Sequence, residues 1–373
     1  MKIAFYAPMK PPDHPVPSGD RRMARLLMEA LERAGHEPQL ACRFVSRDSR
    51  GDPARQKQLI EEGAKLADAL LADYRALPED ARPKVWFTYH LYYKAPDLIG
   101  PRVAEGLGIP YIAAEASLAG KRAGGPWDSY HQALLQALKA ARALVTINPA
   151  DAPALPGGTK QLSLPPFLNA THEAQAKDRA RAEVAGWTAL SADAPWLLAV
   201  GMFRAGDKLE SYRLLGAALA YLKDRDWRLL VVGDGPARAE VEAALAPLGE
   251  GRVTYLGQLD SERLRTCYAA ADLLVWPARR EAYGMALLEA QAEGLPVVAG
   301  REGGVGAVVA DGESGLLSEP GDAAAFARAL DSLLTDPERR AAMGRAARER
   351  ILRDHGLEGA AAKLDALLRE VTA

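Results

Sequence analysis

The strongest constraint on the fold is an alternation of short apolar runs with longer amphipathic segments, which occurs twice along the chain. In the first half the apolar runs are residues 3–7, 39–44, 85–89, 111–114, 144–147 and 161–164. Helical spacing of apolar residues marks residues 21–34, 59–74 and 130–141 between them. Buried strands alternating with helices predict a parallel, doubly wound α/β sheet.

The same rhythm restarts after Pro165-Pro166 and a polar stretch, residues 169–193, that has no strand pattern. The second set of apolar runs is 196–200, 229–232, 253–256, 273–276 and 296–299. At 373 residues the chain is too long for one ordinary core. Two halves of this kind predict two Rossmann-like domains with a cleft between them. The last helical segment, 357–371, fits the pattern of either half.

Composition and charge narrow the class of protein. Hydrophobic residues make up 49% and charged residues 26%, the balance of a globular enzyme rather than a disordered chain. The formal net charge of −2 gives no reason to expect a nucleic-acid partner. Residues 1–170 carry 22 Lys and Arg against 18 Asp and Glu. This small excess suits an anionic acceptor or a membrane surface, although a solvated face is the preferred interpretation.

The two cysteines and the N-terminus bear on location. Cys42 and Cys267 are far apart in sequence, which favours a reducing compartment over a disulfide scaffold or a thiolate metal site. The first apolar run is too short for a signal peptide, and no stretch approaches the roughly 20 apolar residues of a membrane span. We therefore expect a cytoplasmic protein that at most lies peripherally on the inner face of a membrane, through its N-terminal domain.

The most informative segment follows the apolar run 273–276. A loop there carries Glu281, and a helix is expected to begin near Gly284 and to stop at Gly294. Open α/β sheets bind ligands at the carboxyl ends of their strands, where this loop lies. The N–H groups of Gly284, Met285 and Ala286 would face an anion at the helix start.

Glu281 and Glu289 are eight residues apart. A helix rises about 12 Å over eight residues and leaves the two side chains about 80° apart. Carboxylates at that separation can hold opposite ends of a nucleotide diphosphate sugar, one at the ribose and one at the sugar. An isolated pair of this kind is more often a loop charge and a solvated helix residue.

Other residues of the same half make the ligand-binding interpretation of Glu281 and Glu289 the preferred one. Arg204 and Lys208 follow the apolar run 196–200 and can together neutralise a diphosphate. Gly233 lies in a tight turn over residues 232–236, for which simple turn chemistry is the preferred role. Residues 302–306 form a glycine-rich stretch that offers a second approach to phosphate or sugar.

The run from Glu281 to Glu289, with Gly284 inside it and Gly303-Gly304 downstream, resembles the retaining glycosyltransferases of family 4, which have the GT-B fold. Supporting segments follow in the family's order over most of the chain. They are residues 17–19, 35–37, 108–110, 201–208, 233–236, 256–257, 271–273 and 311–316.

The resemblance implies roles for particular residues. The position matching Glu289 holds the ribose, Glu281 lies by the donor sugar, and Arg204 with Lys208 holds the diphosphate. The backbone of Gln258 and Leu259 would receive the base. The last helix would cross back, which gives an acceptor-side domain of residues 1–168 plus 355–373 and a nucleotide-sugar domain of residues 169–354.

The chain departs from the family pattern at three positions, which bears on the roles assigned above. Met202 stands where many members have Arg, so Arg204 is taken as the substitute. The family often places a His after the fourth strand, where this chain has Glu115. His90 or Glu115 would then make acceptor-side contacts, or His90 is a structural cap. Ala307 stands where a Glu is usual.

The resemblance implies transfer of a hexosyl group with retention, without a divalent metal or any cofactor beyond the nucleotide-diphosphate sugar. A UDP-sugar is favoured as donor, with GDP-mannose as the alternative. The acceptor would be a hydroxyl of a glycan, a glycolipid or another lipid-linked or small molecule. Asp224-Arg225-Asp226 precedes an apolar run and is interpreted as a polar turn. The alternatives are a nucleotide-sugar epimerase and a catalytically silent nucleotide-binding partner subunit.

Acceptor recognition is expected in the N-terminal domain. Gly19 follows the first apolar run, where bare backbone can approach donor sugar and acceptor together. Basic and aromatic side chains are expected around the same opening, with simple solvation as the alternative for the arginines. These side chains are Arg21, Arg22, Lys121, Arg122, Tyr92, Tyr93 and Trp127.

Overall fold

A computed structural model of the chain describes residues 1–16, 18–118, 123–149, 151, 157–170, 174–188, 190 and 194–373. The chain forms two compact units. We call Met1–Pro166 with Leu357–Ala373 the N-terminal unit, and Phe167–Gly356 the C-terminal unit. Each contains a six-stranded parallel sheet with helices, which confirms the predicted pair of Rossmann-like units of the GT-B fold.

The sheet of the N-terminal unit has the strand order β2-β1-β3-β4-β5-β6. Its strands are β1 (Lys2–Tyr6), β2 (Glu37–Leu40), β3 (Val85–Tyr89), β4 (Tyr111–Ala114), β5 (Ala143–Thr146) and β6 (Lys160–Ser163). Its helices are α1 (Gly19–Arg33), α2 (Pro53–Ala76), α3 (Gly100–Leu107), α4 (Asp128–Ala140) and α13 (Leu357–Thr372).

Helices cover this sheet because its central strands are apolar except for Thr88 and Thr146. Every residue of β3, β4 and β5 is buried. Helix α1 presents a buried apolar stripe, and the Ser18 hydroxyl caps it by accepting from the Arg21 N–H at 3.2 Å. Helix α13 packs on α1, where the Arg33 guanidinium donates to Glu358 at 2.6 Å.

The sheet of the C-terminal unit has the order β12-β11-β10-β7-β8-β9. Its strands are β7 (Trp196–Val200), β8 (Arg228–Val232), β9 (Val253–Gly257), β10 (Leu273–Trp276), β11 (Val297–Gly300) and β12 (Gly315–Ser318). Its helices are α5 (Lys177–Thr188), α6 (Asp207–Ala220), α7 (Arg238–Leu245), α8 (Ser261–Ala270), α9 (Met285–Ala292), α10 (Val305–Val308), α11 (Ala323–Leu334) and α12 (Pro337–Asp354).

Both sheets reverse their strand order at one point, between β1 and β3 in the N-terminal unit and between β7 and β10 in the C-terminal unit. Connections on either side of such a point run to opposite faces of the sheet. The carboxyl ends of the two strands therefore leave a crevice, which is where open α/β sheets bind ligands. A ligand site is consequently expected in the loops after β1, β3, β7 and β10.

Candidate functional site

Lys208 and Glu281 meet at the reversal point of the second sheet. Lys208 lies in the first turn of α6, after β7, and Glu281 lies in the loop after β10. The Lys208 Nζ forms an ion pair with Glu281 Oε2 and lies 5.2 Å from the ring centroid of Trp276. The Trp276 indole N–H donates to the same carboxylate oxygen at 3.2 Å. Two residues predicted on separate segments thus form one mostly buried cluster, with side-chain exposures of 19% and 17%.

The glycine-rich turn after β11 supports the backbone of the Glu281 loop. A Cβ at Gly303 would lie 1.9 Å from the carbonyl oxygen of Glu281. The Gly304 N–H donates to the Ala282 carbonyl at 2.7 Å, and a Cβ at Gly300 would lie 2.1 Å from the Pro277 carbonyl oxygen. These contacts give the turn a structural role in holding Glu281. Its expected approach to phosphate or sugar stays a prediction.

The other side of the Glu281 loop is tied to α6. The Arg280 guanidinium binds Asp207 at 3.0 Å, and the Arg279 N–H donates to the Ser211 hydroxyl at 3.0 Å. Ala278 and Arg280 have left-handed φ angles of 55° and 46°, which non-glycine residues seldom adopt. The loop is therefore held in a costly conformation by contacts on both sides.

Helix α9 begins at Met285, directly after Gly284, whose φ is 79°. It ends at Ala292, and Gly294 beyond it is also left-handed, in agreement with the expected helix limits. The Leu287 N–H already donates to the Gly284 carbonyl at 2.9 Å. The N–H groups of Met285 and Ala286 precede this first bond of the helix and are suited to an anion. The helical separation assumed for Glu281 and Glu289 was wrong, because Glu281 precedes the helix.

Glu289 lies on α9 and is half-buried. The hydroxyl of Tyr268, on α8, donates to Glu289 Oε2 at 3.0 Å. Tyr268 is only 3% exposed and was not singled out from the sequence. The carboxylate expected at the ribose is thus held by a buried tyrosine.

The other predicted donor residues lie on neighbouring loops. Arg204 is exposed in the loop after β7, beside the half-buried Met202. Gln258 is exposed and Leu259 half-buried after β9, the edge strand on the β8 side. A Cβ at Gly233 would lie 1.9 Å from the Gly201 carbonyl oxygen, so Gly233 lets two turns pack together. That contact is the turn chemistry preferred for Gly233.

In the N-terminal unit, His90 and Glu115 come together with Asp20. His90 follows β3 and Glu115 follows β4, and both have left-handed backbones, with φ angles of 62° and 52°. The His90 Nδ1 lies 3.1 Å from Asp20 Oδ1, and Asp20 is beside Gly19 in the first turn of α1. We call Asp20, His90 and Glu115 the β3/β4 cluster. The sequence did not single out Asp20.

Burial and charge act together on this cluster. Burial raises the pKa of Glu115 to about 7, although His90 opposes the shift. Burial also lowers the pKa of His90, but Glu115 and Asp20 outweigh it and raise that pKa to about 9. Perturbed titrating groups of this kind are typical of functional sites.

Other side chains expected around the acceptor have different surroundings. The Arg21 guanidinium donates to the carbonyls of His14 and Pro15 at 2.8 and 3.1 Å and so holds the preceding loop. Tyr93 and Trp127 are core residues, each 8% exposed with ring centroids 5.3 Å apart, so the expectation that these two rings contact an acceptor was wrong. Tyr92 is half-buried, Arg22 and Gly19 are exposed, and Lys121 and Arg122 lie outside the described residues.

The acidic motif at Asp224–Asp226 lies in the turn before β8, as expected. Arg225 binds Asp331 and Arg228 binds Asp226, both at 2.7 Å. Among the residues that the structure describes, no group of three or more His, Cys, Asp or Glu is arranged to hold a metal ion. Within that same part of the chain, no helix has the length and apolarity needed to cross a membrane.

The architecture is that of the GT-B fold, and the paired charges of Lys208 and Glu281 lie at the second reversal point. Residues 200–350 match the family model for glycosyl transferases group 1. The matched segment contains Lys208, Glu281 and Glu289.

Curated relatives match part of the chain. It is 40% identical over 164 residues to a D-inositol 3-phosphate glycosyltransferase of Corynebacterium efficiens, covering 42% of this chain and 38% of that protein. It is 32% identical over 180 residues to an alpha-D-kanosaminyltransferase of Streptomyces kanamyceticus, covering 48% and 46%. The chain therefore spans less than half the length of these relatives.

Solved structures match the whole chain. Sucrose-phosphate synthase from Thermosynechococcus elongatus has a TM-score of 0.77 at 25% identity, covering 99% of this chain and 98% of that one. Anabaena HepE in complex with UDP and glucose has a TM-score of 0.71 at 16% identity, covering 99% of each chain. The second likeness shows the fold alone.

Proposed function

We propose that the protein is a retaining glycosyltransferase that moves a hexosyl group from a nucleotide-diphosphate sugar to an acceptor hydroxyl. A UDP-sugar is the favoured donor and GDP-mannose the alternative. The observation that supports this most directly is the Lys208–Glu281 pair beside the start of α9, which also carries Glu289. One positive charge, free helix N–H groups and two carboxylates within one crevice suit a diphosphate flanked by two polyhydroxylated groups.

In this proposal the donor changes the partner of Lys208. The Lys208 ammonium is paired with Glu281. A bound diphosphate would compete for it with more negative charge, and Glu281 would then accept hydrogen bonds from the donor sugar. Lys208, Arg204 and the N–H groups of Gly284, Met285 and Ala286 would stabilise the leaving diphosphate. This chemistry is proposed to proceed without a divalent metal.

The N-terminal unit is proposed to supply the acceptor contacts, through the β3/β4 cluster and Gly19. Asp20 and His90 of the cluster lie at the other reversal point, between β1 and β3, and Glu115 follows the adjacent strand β4. Its buried carboxyl and imidazole can accept from and donate to a hydroxyl-bearing acceptor. The name of one relative, D-inositol 3-phosphate glycosyltransferase, fits a polyhydroxylated ring as acceptor.

The division of labour between the two carboxylates can be tested with free UDP. Glu289→Gln should weaken UDP binding about tenfold or more, since a hydrogen bond to a charged group is lost in every bound state. Glu281→Gln should not weaken UDP binding, because it removes no UDP contact and releases Lys208, but should lower kcat roughly a hundredfold. Titration calorimetry and steady-state kinetics measure the two effects, with Glu240→Gln on the exposed face of α7 as control.

Several outcomes would contradict the proposal. Equal weakening of UDP binding by the two changes would rule out separate ribose and sugar roles. A thermal-shift screen of nucleotide sugars identifies the donor, because a tight ligand raises apparent stability. Donor binding with neither transfer nor hydrolysis would indicate a silent partner subunit. Interconversion of the donor sugar without transfer would indicate an epimerase.

A further inference from the structure

We propose that Tyr268 is the positioning residue for the ribose-binding carboxylate of Glu289. The inference rests on the proposed function, because it takes from it the role of Glu289. The Tyr268 hydroxyl donates to Glu289 Oε2 at 3.0 Å from the neighbouring helix α8. This bond restrains the carboxylate that receives the ribose hydroxyls in the proposed function.

The physical need for such a residue follows from the chemistry of glutamate. Its side chain has three rotatable bonds, and holding it in one rotamer when a ligand binds costs conformational entropy. Tyr268 has only two, and its ring is almost completely buried, so the hydroxyl is a rigid donor. A carboxylate fixed before the nucleotide arrives binds it more tightly than a mobile one.

The hydroxyl is not the only link between α8 and α9. The Arg265 guanidinium, one turn before Tyr268, donates to Glu293 at 2.6 Å, and the Glu293 side chain is 3% exposed. The start of α8 is capped by Asp260, which accepts from the Arg263 N–H at 2.9 Å. Removing the hydroxyl alone should therefore leave both helices in place while removing the Tyr268–Glu289 bond.

Tyr268→Phe tests the inference with the ring retained. We expect the Kd of free UDP to rise about three- to tenfold, the equivalent of one ordinary hydrogen bond. The KM for the donor should rise by a similar factor, with kcat within about twofold of the parent. In a Glu289→Gln background, Tyr268→Phe should produce no further loss, because the group that it positions is already altered.

Arg265→Gln is the matched control. It breaks the Arg265–Glu293 ion pair between α8 and the end of α9. We therefore expect a lower Tm but a UDP Kd within about twofold of the parent. This comparison keeps the test valid where Tyr268→Phe also lowers Tm.

Three results would overturn the inference. Parent-like UDP binding by Tyr268→Phe, with Glu289→Gln weakened, would show that Glu289 needs no positioning while leaving the proposed function intact. Additive losses in the double variant would show that Tyr268 acts independently of Glu289. Parent-like binding by Glu289→Gln would remove the ribose assignment itself, and with it this part of the proposed function.

Discussion

His90 and Glu115 directly follow the adjacent strands β3 and β4, and both have a left-handed φ angle. A left-handed φ at a non-glycine residue costs about 1–3 kcal/mol and persists only where surrounding contacts enforce it. Here the two residues place a buried carboxyl beside an imidazole that is paired with Asp20. These strained backbones lie beside the reversal point of the first sheet. Their position supports a functional role for His90 and Glu115 over that of a simple cap.

The β3/β4 cluster predicts a pH dependence for the acceptor step. With a Glu115 pKa of about 7 and a His90 pKa of about 9, Glu115 is ionised and His90 protonated between these values. We expect acceptor-dependent kcat to rise through about pH 7 and to fall above about pH 9, with UDP affinity changing much less. His90→Gln should remove the alkaline decline, and a profile unchanged in this variant would refute the assignment.

The same shifts set the sign of an effect on stability. Both folded-state pKa values lie above the ordinary values of these groups. Each group therefore favours the folded state at pH below its ordinary pKa. The contribution of Glu115 is lost as pH rises through about 7, and that of His90 is lost as pH rises through about 9.

Some site residues could be predicted from sequence and others could not. Lys208 and Glu281 each follow an apolar run, and parallel strands bring such positions to one edge of a sheet. Asp20 gives no such signal, because an acidic residue in the first turn is ordinary helix chemistry. Tyr268 fits the buried face of an amphipathic helix, so only its contact with Glu289 distinguishes it.

At the scale of the element, the Glu281 loop depends on the turn after β11. Gly303→Ala would place a methyl group against the Glu281 carbonyl, and its φ of 59° adds strain for alanine. In the proposed function Glu281 contacts the donor sugar, and small displacements of such a group are costly, so we expect kcat to fall by at least about tenfold. UDP binding should suffer less, because Glu289 and α9 do not depend on this contact.

Gly306→Ala provides the control for this change. A Cβ at Gly306 would enter open space, and its backbone needs no left-handed φ. Kinetic parameters and Tm should stay close to those of the parent. Equal loss of activity in both variants would show that the glycine-rich segment acts in some other way than by supporting Glu281.

Element prediction succeeded where burial is complete and failed where the signal is short. Strands β3, β4, β7 and β10 coincide with predicted runs because all their residues are apolar or nearly so. Helix α3 was not predicted, since it has only eight residues, begins with Gly-Pro and contains a second glycine. Strand β12 is four residues long and was also not predicted. Helix α5 falls in a charged stretch that carries little apolar pattern.

At the scale of the whole molecule, the C-terminal unit is held together at the amino ends of its strands by Asp272. Its carboxylate binds Lys177 at 2.6 Å and Arg181 at 2.8 Å, both on α5, and lies 3.8 Å from Arg340 on α12. It also accepts from the Trp196 N–H of β7 at 2.8 Å. One buried charge thus connects two helices to the sheet.

Asp272→Asn should lower the free energy of unfolding by about 3–5 kcal/mol, because the cations around it lose their counter-charge while still partly buried. Urea denaturation measures the change. Burial alone would raise the pKa of Asp272, but the ion pairs and hydrogen bonds lower it overall. Its stabilising effect is therefore present above the ordinary aspartate pKa and is lost as pH falls through the folded-state value.

The exposed pair between Arg225 and Asp331 is the control for this prediction. Asp331→Asn removes a contact of similar length, 2.7 Å, but solvent screens it. Its effect on stability should be much smaller. An equally small effect of Asp272→Asn would show that the Asp272 network does not hold the unit together.

The chain enters the C-terminal unit at Phe167 and leaves it at Gly356, and these two points lie side by side. The Leu168 N–H donates to the His355 carbonyl at 2.9 Å, so the first and last segments of the unit are paired. The C-terminal unit is therefore a continuous insertion, residues 167–356, between two segments of the N-terminal unit. Exchanging residues 167–356 between related chains would need two adjacent splice junctions and no rerouting of the backbone. Under the proposed function, hybrids made this way are expected to combine the donor preference of one parent with the acceptor preference of the other.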